Sequence, residues 1–160
     1  MQQSVDRVYK DLQSRLQKEV LKAKHFKKSG SNFRVILPDG TSKIISFQKS
    51  MFNSDGECRF TVNIGLYFQE NLDDPNLRFK EYECQIPTRI SGISKRYVGD
   101  HWWVLTEVTD AEKMYAELKC LFEEDVIPWL DQFQIRRDVI RVGQTGALRG
   151  MIRGSVYVNL

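Results

Sequence analysis

The sequence contains few of the residues that cross-link small domains or hold metal ions: its 160 residues include three cysteines, four prolines and two histidines. Cys58, Cys84 and Cys120 are odd in number and widely spaced, unlike a disulfide framework or a CxxC metal pair. Neither His25 nor His101 has a second ligand at metal-binding spacing. We therefore expect no disulfide, no metal site and no cofactor.

Long apolar segments are absent too. No apolar run approaches the ~20 residues that cross a bilayer. The N-terminal stretch MQQSVDRVYKDLQSRL is charged throughout and lacks the apolar core of a secretory signal. Together with the low cysteine content, these absences predict a cytosolic protein with no membrane contact.

The motifs of common enzymes are missing as well. The sequence has no GxSxG nucleophile turn, no phosphate loop of the GxxxxGKS/T type and no HExxH zinc helix. The VGQTG segment at 142–146 lacks the lysine and the metal-binding hydroxyl of a phosphate loop, so it predicts a glycine turn. The acidic groups at 73–74 and 123–125 lie on hydrophilic stretches typical of solvated surface. We expect no catalytic residues.

Charge is distributed unevenly along the chain. The net charge of +3 is the sum of +5 over residues 1–30, −6 over residues 31–133 and +4 over residues 134–160. Two basic ends therefore flank an acidic body, and the opposite charges of tail and body favour contact of the C-terminal tail with the body of its own molecule or a neighbour.

The most informative segment that is present runs from residue 60 to residue 68. Large apolar side chains alternate there with smaller or polar ones: Phe60, Val62, Ile64, Leu66 and Phe68 against Thr61, Asn63, Gly65 and Tyr67. A period of two predicts a strand with one face in the core. Cys58 and Cys84 share the phase of neighbouring apolar residues and are expected in the core, whereas Cys120 lies off its helical stripe and is expected to be partly exposed.

Other local signals complete the predicted fold. Ser4 is expected to cap a helix that ends before residues 28–31. Strands are predicted at 33–37, 43–48, 83–90 (interrupted by Pro87, hence an edge or a bulge) and 102–108, with turns at 38–40, 53–56 and 96–99 and an exposed loop at 71–76.

Two helices are predicted after the strands. The stretch Thr109-Asp110-Ala111-Glu112 reads as a capping box with Thr109 as the N-cap, and Asp125 is expected to restart a short helix with Pro128 in its first turn. The order predicts an α+β fold: an antiparallel sheet of four to five strands with an N-terminal helix and a C-terminal helix pair packed on one face. We expect one domain over 1–133 and an Arg/Gly-rich extension over 134–160, partly ordered and ending in a strand at 155–160.

The second face of the predicted sheet provides the candidate ligand site. Five polar side chains share the phase opposite to the core: Gln48, Ser50, Thr61, Asn63 and Arg89. They form either a polar patch with one cation for an anionic or amide ligand, or a wetted outer face with Arg89 in a surface salt bridge. Trp102 and Trp103 are expected to point to opposite faces of their strand, so that one packs in the core and the other lies on the polar face, beside Arg89, or at an edge of the sheet.

The C-terminal extension contains five arginines: Arg136, Arg137, Arg141, Arg149 and Arg153. They are candidates for contact with a partner or with phosphates, although no aromatic residue lies between them as in a nucleic-acid interface. Gly146, Gly150 and Gly154 are four apart, but the arginines between them argue against a membrane helix pair. We favour an extension whose last strand adds to a sheet edge in its own molecule or a neighbour.

Several short pieces of the chain carry a family resemblance. They are GSNF at 30–33, FQKS at 47–50, FTVNIG at 60–65, Cys84 followed by Arg89, the Trp102-Trp103 pair and PWL at 128–130. In this order and spacing they resemble DUF4304, an uncharacterised bacterial family, over residues of about 20 to 133. The resemblance implies a small α+β domain without an established activity and, by analogy, an immunity or partner-binding role. The extension after residue 133 falls outside it.

These observations favour a non-catalytic bacterial protein-binding module, of immunity type by that analogy, that binds a protein partner or another copy of itself. The alternative is a small-ligand or enzymatic domain that uses the polar face around Arg89. Weak nucleic-acid binding through the arginines of the extension is the third hypothesis.

Overall fold

The computed structural model describes residues 4–68 and 79–148. Helix α1 (Val5–Leu16) begins at Ser4, whose side chain accepts a hydrogen bond from the Arg7 N–H, as predicted. The helix continues through a π-helical stretch (Gln17–Leu21) and a 3₁₀ turn (Lys22–Lys24). It ends at His25, which adopts a left-handed conformation with φ of 67°.

Six antiparallel strands form one sheet: β1 (Lys27–Ser29), β2 (Asn32–Ile36), β3 (Thr41–Lys49), β4 (Glu57–Phe68), β5 (Ile86–Arg89) and β6 (Trp103–Thr106). The first five lie in sequence order, and β6 pairs with β4. Residues 63–66 of β4 pair with β5 and residues 57–60 pair with β6, so both short strands lie along one edge of β4. The α+β fold with an antiparallel sheet is confirmed; β1 is the strand that the sequence did not predict.

The C-terminal half contains α2 (Ile90–Ile93), α3 (Ala111–Leu121), a π-helical stretch (Phe122–Val126), α4 (Ile127–Asp131) and α5 (Arg137–Gly143). The predicted capping box is wrong by one residue, because the Thr109 hydroxyl accepts from the Thr106 N–H at 2.8 Å instead. Asp110 therefore caps α3 by accepting from the Lys113 N–H at 3.1 Å. Asp125 does not restart a helix either: the chain stays helical there.

The first face of the sheet carries the main core. The alternating residues of β4 are buried as predicted, with Phe60, Val62, Ile64 and Leu66 at 0% exposure. The ring of Phe60 lies 5.2 Å from that of Tyr9 on α1 and 5.8 Å from that of Phe47 on β3. Part of the segment expected as an extension joins this same cluster, through Val139, Val142 and Leu148.

The second face of the sheet is partly covered as well. Phe79 stacks on Tyr67 with 4.7 Å between ring centroids, and it clusters with buried Ile44 and Cys84. A Cβ placed on Gly65 would lie 2.5 Å from the Cys84 Sγ, so only glycine allows this close approach. Cys58 is buried in the main core and Cys120 is half-buried, as predicted; Cys84 is buried too, but against the second face.

Candidate functional site

The strand register brings the predicted polar residues of the second face together. Gln48 lies opposite Thr61 in the β3–β4 pair, and Arg89 lies opposite Asn63 in the β4–β5 pair. The Asn63 Nδ2 donates to the Gln48 Oε1 at 2.6 Å. The Thr61 hydroxyl donates to the His101 carbonyl at 2.8 Å. The surface formed by Gln48, Thr61, Asn63, Arg89 and Trp102 is called the Arg89 face below.

Arg89 has both an acidic and an aromatic neighbour. Its Nη1 lies 2.5 Å from the Asp100 Oδ2, and its guanidinium carbon lies 5.6 Å from the Trp102 ring centre. Trp103, on the opposite phase, is buried and stacks on Phe60 at 5.5 Å. An anionic ligand at Arg89 would therefore have to displace Asp100 or share the guanidinium with it.

The centre of the Arg89 face is closed to solvent. Thr61 is 0% exposed and Asn63 is 5% exposed, and both side chains form hydrogen bonds within the protein. Gln48 is exposed, whereas the Arg89 side chain and Trp102 are partly exposed, so a ligand would reach mainly these three. Ser50 shares their phase, and its hydroxyl accepts from the Phe52 N–H at 3.1 Å. Whether any of these residues binds a ligand stays a prediction.

His101 helps to fix the segment that covers the Arg89 face. Its ring stacks on that of Tyr97 with 3.9 Å between centroids and lies perpendicular to the Trp103 ring, with 4.4 Å between centroids. The Glu117 Oε1 accepts from the Tyr97 hydroxyl at 3.0 Å and from the Trp103 Nε1 at 3.3 Å. Burial lowers the pKa of His101, against the opposing charge of Glu117. These contacts join the segment to α3.

No group of three or more His, Cys, Asp or Glu side chains that could hold a metal ion occurs within residues 4–68 and 79–148. In the same residues no helix is long and apolar enough to cross a bilayer.

The arginines of the predicted extension have different surroundings. The Arg136 guanidinium lies 5.9 Å from the Phe68 ring, and its backbone N–H donates to Asp39 at 2.9 Å. The Arg141 Nη2 donates to the Gln132 carbonyl at 2.9 Å, while Arg137 is exposed. Arg149, Arg153, the predicted strand at 155–160 and the predicted loop at 71–76 lie outside the described residues. The predicted partner or phosphate contacts stay predictions.

Sequence reasoning missed a surface at the end of the sheet where the chain turns from β3 into β4. Met51 and Phe52, in the turn that joins β3 to β4, are 90% and 85% exposed, and Val108, just after β6, is 92% exposed. Beside them lies a pocket of about 480 Å³ whose lining includes Asp6, Lys49, Ser50, Asn53, Asp55, Glu57 and Glu107. We call this surface the hairpin end. The available signal was a pair of large apolar residues directly before the turn cluster at 53–56.

Ion pairs at the hairpin end leave an excess of negative charge. Hydrogen bonds from Lys10 and then from Lys49 lower the pKa of Asp6 to about 2. The Glu57 carboxylate lies 2.7 Å from the Arg59 Nε. Within the described chain, neither Asp55 nor Glu107 has an ion-pair partner, and both are exposed.

The edges of the sheet are poorly suited to pairing with another strand. β1 is only three residues long and exposes Lys27 and Lys28, and β5 contains Pro87, which lacks an N–H. At the outer edge of β6, the Thr106 N–H donates to the Thr109 hydroxyl and the Thr106 carbonyl accepts from the Thr109 N–H. Contacts between the hairpin end and a partner would therefore depend on side chains and not on backbone pairing with a sheet edge.

The architecture defines a class: a small α+β domain whose antiparallel sheet packs its helices on one face. The family model of the domain of unknown function DUF4304 matches residues 17–132, and the chain belongs to this family. No curated protein and no solved structure matches the chain significantly.

Proposed function

We propose that this chain is a non-catalytic protein-binding domain that uses the hairpin end as its contact surface. The observation that carries the proposal is the exposure of Met51 and Phe52, at 90% and 85%, in a turn fixed at both sides by strands. Burying one such side chain contributes about 1.5–3 kcal/mol. Their burial by a partner would therefore supply much of the driving force for binding.

The composition of the hairpin end supports the same proposal. Aromatic residues and methionine are enriched at protein interfaces, where one anchor side chain often carries much of the affinity. Phe52 would be that anchor, with Met51 beside it; the residues on either side of the pair, Ser50 and Asn53, line the pocket of about 480 Å³.

The finer parts of the proposal concern setting and partner. We place the domain in the cytosol of a bacterium, and an immunity-type role, in which the partner is a toxin, is its most specific form. That form is supported by family analogy alone.

Affinity capture tests the proposal. The full chain and its Phe52→Ser variant would be used as baits in the cells that produce the protein, followed by mass spectrometry. We expect the native bait to recover a protein partner in near-stoichiometric amount and the variant to lose it. Equal recovery of background proteins by both baits would contradict the proposal. A Val98→Ser bait is the matched control, because Val98 is fully exposed elsewhere.

A second candidate function is the binding of a small anionic or amide ligand at the Arg89 face. It is favoured by the Arg89 guanidinium lying 5.6 Å from the Trp102 ring and next to the Asn63–Gln48 amide pair. A thermal-shift screen against a panel of metabolites should then yield a stabilising ligand whose effect disappears in Arg89→Ala. Arg59→Ala removes a comparable surface ion pair and should keep the effect. A shift that survives in Arg89→Ala would remove this candidate.

A further inference from the structure

The turn at the hairpin end is held in shape by its own hydrogen bonds. The Arg59 N–H donates to the Asn53 Oδ1 at 2.8 Å, and the Ser50 N–H donates to the Arg59 carbonyl at 2.8 Å. The Ser50 hydroxyl accepts from the Phe52 N–H, and Gly56, with φ of 79°, closes the turn. Because Met51 and Phe52 are presented by an ordered turn, a partner has little loop entropy to overcome on binding.

The charge of the pocket at the hairpin end indicates which charge its occupant should have. Four carboxylates and one ammonium line the pocket, from Asp6, Asp55, Glu57, Glu107 and Lys49. Lys10 and Lys49 both lie against Asp6, and Arg59 pairs with Glu57, so three cations oppose these four carboxylates. One negative charge remains in excess, and Asp55 and Glu107 are the two pocket carboxylates without an ion-pair partner in the described chain. The N-terminus of α1 adds only about half a positive charge there, less than the remaining excess.

We propose that the occupant of the hairpin end is a cationic segment of a partner protein. A lysine or arginine side chain of that segment enters the pocket between Asp55 and Glu107, and apolar neighbours in the segment cover Met51 and Phe52. This inference rests on the proposed function and makes its partner specific. Long basic side chains suit the site, because their aliphatic stems pack on apolar rims while their charged ends reach carboxylates or the face of an aromatic ring.

A second copy of the chain fits the hairpin end less well. A two-fold contact places the same patch against itself, so the excess carboxylates of one copy would face those of the other. Strand addition along β6 is also disfavoured, because Thr109 occupies the outward backbone groups of Thr106. Charge and topology thus both point to a different protein.

A peptide library tests this inference with the full chain. A phage-displayed library of random dodecapeptides would be panned against the native protein, and enriched peptides would be remade with a fluorophore for anisotropy titrations. We expect the enriched sequences to contain lysine or arginine beside apolar residues. We also expect Met51→Ser with Phe52→Ser to weaken their binding by about tenfold or more, as for truncation of an interface anchor.

Charge variants test the cationic part separately. Asp55→Asn with Glu107→Gln should weaken the same peptides by about threefold to tenfold and should flatten the salt dependence of their binding, since exposed charges are screened by salt. Val98→Ser and Asp11→Asn are matched controls on other exposed surfaces and should leave binding unchanged. Circular dichroism of each variant would verify the native fold.

Three outcomes of the peptide experiments would overturn the inference. They are an absence of enriched peptides, enriched peptides without basic residues, and binding that none of the hairpin-end variants alters. In each case the broader protein-binding proposal is judged separately, by capture of a whole partner. Sedimentation of the native chain should give a monomer; a dimer that Phe52→Ser dissociates would assign the surface to a second copy and would also overturn the inference.

Discussion

The Arg89 face and the hairpin end are two surfaces of the same sheet with opposite properties. At the Arg89 face the polar groups are bonded to one another: Thr61 to the His101 carbonyl, Asn63 to Gln48 and Arg89 to Asp100. At the hairpin end, Met51 and Phe52 project into solvent. Polar side chains that are hydrogen-bonded to one another stabilise the fold by themselves. Exposed apolar side chains contribute favourable free energy only when a partner buries them. Under the proposed function, the first surface serves folding and the second serves recognition.

The largest expected difference is in the stability loss caused by replacing two phenylalanines, one in the core and one at the hairpin end. Phe60 is fully buried among aromatic rings, so Phe60→Ala should lower the free energy of unfolding by about 3–5 kcal/mol. Phe52→Ala should change it by less than about 0.5 kcal/mol. Urea unfolding of both variants measures this. A loss of several kcal/mol in Phe52→Ala would mean that Phe52 belongs to the fold and not to a contact surface.

The next effect concerns the covered part of the second face. Gly65→Ala places a methyl group 2.5 Å from the Cys84 Sγ and 3.2 Å from an Ile44 methyl carbon, which should lower the free energy of unfolding by about 1–3 kcal/mol. Thermal unfolding measures the loss. The double variant with Cys84→Ala relieves the contact and should recover part of it; no recovery would show that the strain lies elsewhere.

How much of this could be read from the sequence depends on the range of the interactions. The alternation in β4 and the Ser4 cap are local patterns, and both were predicted. The exclusion of solvent from the centre of the Arg89 face was not predicted. It requires the segment around His101 to fold back onto Thr61, which precedes it by 40 residues. The choice of Asp110 over Thr109 as a cap likewise depends on a turn that engages Thr109 first. Met51 and Phe52 extend a strand-like pattern, so their exposure follows only from where the turn begins.

A smaller effect is expected from one hydrogen bond at the Arg89 face. Thr61→Val keeps the shape of the side chain but leaves the His101 carbonyl without its donor, which should cost about 1 kcal/mol. Thr61→Ser retains the hydroxyl and should recover most of that hydrogen-bond energy. Chemical denaturation of the three proteins gives the values. Equal stability of Thr61→Val and the native chain would contradict the view that this face stabilises the fold.

The smallest effect is electrostatic and lies at the hairpin end. Because Lys10 and Lys49 hold the pKa of Asp6 near 2 in the folded chain, below its value when unfolded, the carboxylate stabilises the fold above about pH 4 and this contribution is lost as the pH falls toward 2. The side chains of Asp6 and Lys49 are about half exposed and that of Lys10 is more exposed, so Asp6→Asn should lower the free energy of unfolding by less than about 1 kcal/mol at neutral pH. Stability measured from pH 2 to pH 7 should show the native chain and the variant converging in acid. A difference that grows in acid would refute this account.

The comparison of the two surfaces is tested most directly by the amount of partner protein that co-purifies with two variant baits. One bait carries Met51→Ser and Phe52→Ser, and the other carries Arg89→Ala, with both confirmed to be folded. We predict that the first bait loses the partner recovered by the native chain and that the second retains it. Retention by the first bait with loss by the second would place recognition at the Arg89 face and contradict the account.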